Sequence, residues 1–184
     1  MPNPNNTTFM PHWASILGVV AIMLGVFLTA VHGNEVMKQV VITNNMPADG
    51  VMPEPDCPEE ELEEEGISVA ECEYLIQHVR GIALSAPDWF PSAQITLSAI
   101  GTVLAFGSII IGGALVNYTP WASKAALVVF GGLAAIDLLQ FAVVVNTGPT
   151  LRDVYLGGIL LWFILHLMLV AGALAGRHTE AEAQ

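Results

Sequence analysis

Four stretches of this chain, Trp13–His32, 92–116, 121–145 and 153–175, run with almost no charged side chain. At 1.5 Å of rise per residue, about 20 helical residues cross the ~30 Å hydrocarbon core of a bilayer. A soluble bundle can bury a core, but not four uncharged runs of this length. Only 12% of the 184 residues are charged, against about a quarter in soluble domains. Thirteen of the seventeen acidic residues fall between Glu35 and Asp88, so the deficit is concentrated in the apolar runs.

The expected fold is an all-α integral membrane protein, a four-transmembrane-helix bundle. An acidic extramembrane loop carrying one or two short helices joins the first two spans. The expected divisions are a tail over 1–12, spans over 13–32, 92–116, 121–145 and 153–175, the loop over 33–91, and a polar tail over 176–184. Residues 1–12 hold no Lys or Arg and the first run is full length, which favours a retained helix over a cleaved leader. Trp89 and Phe90 suit the membrane–water interface. The connections Asn117–Trp121 and 146–150 are short, Pro-containing turns, with Pro120 suited to a first helical turn. They make the last three spans antiparallel neighbours. Gly176 and Arg177 read as a C-terminal stop.

Lipid tails are as apolar as leucine, so membrane helices are held by close approach at small residues. The first span lines up Gly18, Ala21 and Gly25 on one face with Ala14 and Thr29. The second lines up Gly101, Ala105, Ser108 and Gly112. The two ridges are expected to pack together, with contact to a partner subunit as the alternative.

In the loop, 36–43 fits either a strand or an extension of the first helix, and 44–58 reads as irregular. Pro58 leads an acidic run over 59–65 that ends at Gly66, a candidate helix. Ser68 and Glu71 form a Ser-x-x-Glu capping box, after which Val69, Cys72, Ile76, Val79 and Ala83 recur on one helical face. Cys57 and Cys72 are the only cysteines. A bridge between them would close a loop worth roughly 3 kcal/mol and would place the loop in an oxidising compartment. The expected location is therefore a cell membrane, plasma or bacterial inner, with the loop extracytoplasmic and the termini cytoplasmic. The bland alternative is two unrelated thiols. Positive charge does not discriminate, since Lys124 and Arg177 would lie on one side and Lys38, Arg80 and Arg152 on the other. In that orientation the glycosylation patterns at Asn5, Asn6 and Asn117 are chance matches.

A net charge of −12 with five scattered Lys and Arg excludes nucleic acid as a partner. The glutamates lack the interleaved pattern of a calcium loop, so they read as a solvated face able to attract a basic partner. No phosphate loop, nucleophile elbow or zinc-protease motif is present. No metal or cofactor is expected, and a non-enzymatic role is favoured over an enzymatic one.

Polar residues inside the spans carry what chemistry remains. Asp137 lies mid-way along the third span with Gln140 one turn on, and His166 lies mid-way along the fourth, facing the same way as Tyr155 and Trp162. Antiparallel packing brings Asp137 and His166 to similar depth. A mid-membrane carboxylate costs about 3 kcal/mol on insertion scales and normally finds a partner. A register-fixing hydrogen bond is the favoured reading, ahead of proton or ion handling and of contact with a cofactor or quinone. A haem held by His32 and His166 is disfavoured, because His32 sits at a helix end. The functional expectation is a non-catalytic structural or accessory subunit of a larger membrane complex, bounded by lipid and other integral subunits. Proton or ion translocation through Asp137 and His166 is the first alternative; a membrane redox enzyme subunit is the second.

Overall fold

The structure is a computed structural model that describes residues 12–45, 57–59, 62, 64 and 66–182. Residues 1–11 of the expected N-terminal tail, most of the irregular stretch over 44–58 and four of the seven residues of the acidic run over 59–65 lie outside these residues. Within that run Glu59, Leu62 and Glu64 are helical.

Every regular element among the described residues is a helix: α1 (His12–Asn45), α2 (Val69–Ser85), α3 (Phe90–Val116), α4 (Ala122–Val145) and α5 (Pro149–Glu182). All but α2 are long and apolar enough to cross a membrane. The spans differ most from the sequence reading at the end of α1 and at both ends of the last helix. The ambiguous stretch over 36–43 is helical, so α1 has 34 residues; at 1.5 Å each it is some 50 Å long and outruns the bilayer core. The last helix starts at Pro149 and passes through Gly176 and Arg177 to Glu182. Glycine stops a helix only where its backbone turns left-handed, and Gly66 is the one described glycine with positive φ, at 71°. Gly176 instead serves packing, because the Trp13 indole lies where its Cβ would be.

The short connections behave as their chemistry requires. At the end of α3 the Thr119 N–H donates to the Ala114 carbonyl (2.9 Å) and the Tyr118 N–H to the Leu115 carbonyl (3.0 Å). This is a Schellman closure, with Tyr118 rather than glycine at φ 53°. At the start of α2 the Ser68 N–H and hydroxyl both donate to the Glu71 carboxylate (2.9 and 2.7 Å), and the Glu71 N–H donates back to Ser68 Oγ (3.3 Å). Those bonds, the backbone one foremost, hold the Glu71 carboxyl below its usual range. Cys57 and Cys72 are joined by a disulfide, which ties the segment before α2 to its first turn. On α2 the packed side is Cys72, Ile76 and Ala83; Val79, expected on that face, is 48% exposed.

The spans form an antiparallel ring in chain order, α1 on α3, α3 on α4, α4 on α5, with a slighter contact between α5 and α1. Their buried positions repeat at alternating spacings of three and four. On α1 these are Gly18, Ala21, Gly25, Leu28 and His32; on α3 they are Gln94, Ser98, Gly101, Ala105, Ser108 and Gly112. Such a 3.5-residue repeat keeps one seam facing its neighbour along the whole length. The glycines bring α1 and α3 backbone to backbone. A Cβ on Gly18 would sit 2.6 Å from the Gly112 carbonyl oxygen, and one on Gly112 equally close to that of Gly18. One turn away the Ser108 hydroxyl donates to the Ala21 carbonyl at 3.1 Å.

Because the obstacle at Gly18 is backbone, Gly18→Leu forces the helices apart. It is expected to cost at least the ~1–3 kcal/mol of ordinary overpacking. Gly113→Leu, where nothing lies within 4 Å, is expected to be neutral. Thermal unfolding of the purified variants in detergent checks the pair, and equal stability would refute glycine-mediated packing of α1 on α3.

Candidate functional site

The buried seams change character along their length. Away from the loop they close with Ala14, Ala21, Leu115, Ala126, Phe130 and Ala173 in one apolar cluster. Toward the loop the same seams carry Gln94, Ser98, Asp137, Gln140, His166, His32 and Gln39, all buried. Ser108 is the buried polar residue nearest the apolar end, and its hydroxyl is taken by Ala21.

Asp137 and His166 meet across the α4–α5 interface. The His166 Nδ1 lies 2.5 Å from Asp137 Oδ2, with the residues 0% and 1% exposed. Helical geometry produces this contact: each residue occupies a seam position, and antiparallel α4 and α5 bring the two positions level. The carboxylate fixes the ring through Nδ1, leaving Nε2 directed elsewhere in the core with no hydrogen-bond partner among the described residues. His32, on α1, is a second buried imidazole. It is not at a bundle end, because α1 continues past it. Its ring fills the space above Gly101, where a Cβ would come within 2.9 Å of the imidazole. Gly101, expected as a helix-packing glycine, is thus the seat of a histidine.

Above the pair, Gln140 turns its amide toward Ser98, Nε2 donating to Oγ at 3.4 Å. A cavity of about 150 Å³ opens there, lined among others by His32, Glu35, Gln94, Ser98, Gln140 and Tyr155. Its loop-side end is closed by a hydrogen-bonded cluster. The Tyr155 hydroxyl donates to Glu35 (2.9 Å), the Gln39 amide donates to Glu35 (2.8 Å) and to the Tyr155 oxygen (3.1 Å), and Lys38 pairs with Glu35 at 2.5 Å. The Lys38 ammonium also lies 4.7 Å from the centre of the Tyr155 ring. Trp162 packs against Phe27, ring centres 5.5 Å apart, and against the buried cluster of Leu28, Ala105 and Leu133, and forms a cavity wall.

Of the residues singled out by sequence, Asp137, His166 and Gln140 thus fall together in the core, with Tyr155 and Trp162 nearer the loop. Gly18, Ala21, Gly25, Gly101, Ala105, Ser108 and Gly112 line the α1–α3 seam, and Cys57 and Cys72 lie outside the spans. Sequence reasoning missed Glu35, Gln39, Gln94 and Ser98, and weighed His32 only as a haem ligand at a helix end. A signal was present: both small-residue ridges continue in the same three-four spacing into these polar positions. Among the described residues no group of three or more His, Cys, Asp or Glu could hold a metal ion.

Fold and composition define a multi-pass membrane protein of four spanning-capable helices. No protein-family model matches the chain, and no curated protein or solved structure is significantly similar to it.

The two halves of the buried pair differ in what their loss leaves behind. His166→Leu strands a carboxyl at mid-bundle, worth about 3 kcal/mol on insertion scales. Asp137→Val forfeits an interhelical hydrogen bond, worth ~0.6–1.7 kcal/mol. The double variant is expected to recover most of the loss, since an apolar pair can replace a buried polar one. Unfolding midpoints in detergent test this order, and equal effects of the two single variants would contradict it.

Proposed function

We propose that this protein is a membrane subunit that takes protons from its loop-side face to the Asp137–His166 pair and no further. The single observation that carries the reading is that pair, sealed in the core at the inner end of a polar file. Imidazole is the side chain that exchanges protons near neutral pH, and a carboxylate fixed on Nδ1 leaves Nε2 as its working atom. Ionisable groups kept inside a membrane pair with one another and mark substrate or ion pathways and proton relays. Between the pair and the loop side stand Gln140, Ser98, His32, Glu35 and Tyr155, beside or around the cavity. On the other side stand Phe130, Ala126, Leu169 and Ala173, which offer a proton nothing to occupy.

A path that ends blind favours a subunit over a self-sufficient channel. A proton delivered half-way needs an acceptor, and a larger membrane complex supplies one. The disulfide supports an extracytoplasmic loop, because such bonds persist in oxidising compartments. In that orientation proton entry is from outside the cytoplasm.

The reading is tested on protein reconstituted in liposomes of known orientation, with the inner and outer pH set independently. The expected result is that the His166 imidazole signal in infrared difference spectra follows the pH on the loop side alone. Asp137→Asn should alter that signal, and neither form should carry steady proton flux. A signal that follows the opposite face, or sustained flux through the wild type, would overturn the reading.

A further inference from the structure

The same cavity reaches the side of the bundle between α1 and α5. α1 and α5 are bridged at two levels, by Phe27 against Trp162 and by Glu35 against Tyr155. Val31, one turn from each α1 bridge residue, lines the cavity between them, opposite Val154 and Gly158 of α5. Val154 and Gly158 are exposed, and nothing lies within 4 Å of where a Gly158 Cβ would stand. Both belong to a spanning helix, so the window faces lipid.

Inside, the buried Gln94 of the cavity wall has no hydrogen-bond partner at Oε1, an acceptor, while His32 Nε2, also without one, lies against Gly101. The Gln140 amide has only its long 3.4 Å bond to Ser98. Buried polar atoms are almost always satisfied, so unsatisfied ones that line a polar cavity point to a ligand. The wall mixes donors and acceptors and includes a flat aromatic surface, Trp162.

We infer that this cavity binds the headgroup of a lipid-dissolved quinone or quinol, which enters sideways between α1 and α5. A quinone offers two carbonyl acceptors and a quinol two hydroxyl donors, and a mixed wall serves both. A water-soluble ligand would have to pass the Lys38–Glu35–Gln39–Tyr155 cluster, whereas the window gives access to a molecule already in the membrane. A fatty-acid carboxylate would be repelled by Glu35. At about 150 Å³ the cavity is smaller than the ~300–1,000 Å³ that encloses a drug-sized ligand, so it takes a ring and leaves an isoprenoid tail in lipid. Binding alone is proposed, and it does not rest on proton uptake, since Asp137 and His166 are outside the cavity lining.

The test uses the full chain in nanodiscs, labelled with a photoreactive azido-quinone carrying a short tail and mapped by mass spectrometry. Saturable labelling is expected on α3 around Gln94–Ser98 and on α5 around Tyr155–Trp162, competed by decylubiquinone and not by decanol. Gly158→Trp, which blocks the window, should weaken competition about tenfold, and Gln94→Leu about fivefold, the scale of one hydrogen bond. Gly157→Trp, at a neighbouring exposed glycine with open space, should leave it unchanged and controls for folding. Unsaturable labelling would mean that water fills the cavity, and equal competition by decanol that only a lipid tail enters. Either result, or indifference to Gly158→Trp, overturns the proposal.

Discussion

The contact between the backbones of Gly18 and Gly112 is the constraint on which the rest of this structure depends. Lipid removes the hydrophobic force that gathers helices in water, leaving packing and hydrogen bonds to hold them. Where each glycine's missing Cβ would strike the opposite carbonyl oxygen, α1 and α3 have no closer approach available. That separation allows the Ser108–Ala21 bond to form. Further along the same seam it lets the His32 ring rest in the gap left by Gly101. With larger residues at these positions the seam would open, and the polar file would lose one of its walls.

The seam also explains why chemistry is confined to one side of the bundle. On α1 and α3 one three-four repeat shifts from small and apolar to polar residues as it nears the loop, whereas α4 and α5 contribute Asp137, Gln140 and His166 and turn apolar again at Val144, Leu151 and Ile159. The apolar part supplies close packing; the polar part supplies groups that lipid could not tolerate outside. Burying them inward is the cheaper solution for a chain that keeps them at all. The extra length of α1 serves the same end, since Glu35 and Gln39 lie beyond the apolar run and cap the cavity at the level of Tyr155.

Much of this was legible in the sequence. Run length gives the spanning helices, and the short turns give their antiparallel order, because backbone polar groups in lipid must be satisfied within a helix. The Asp137–His166 contact follows from equal depth and from the seam position that each residue occupies. The path that joins the pair to the loop face was not legible in the same way. Reading stopped at His32 because the apolar run stopped there, although the seam itself continues to Gln39. Gln94 and Ser98 were passed over because a lone amide and hydroxyl near a helix start are ordinary features. Gly176 misled for a related reason: glycine near a helix end suggests a stop, but Trp13, 163 positions away, uses its bare surface. Each miss concerns which helix faces which, and a one-dimensional pattern constrains that only through the seam it marks.

The central claim is that the polar file is reachable from the loop side and ends at the Asp137–His166 pair. Single cysteines placed at Glu35, in the cluster at the file's loop-side mouth, and at Ala126, beyond the pair, test it most directly when challenged by a small water-soluble thiol reagent from each side of sealed vesicles. The expected result is labelling of the Glu35 cysteine from the loop side only and none of the Ala126 cysteine from either side. Labelling of Ala126 at a rate like that of Glu35, or of Glu35 from the opposite face, would contradict it.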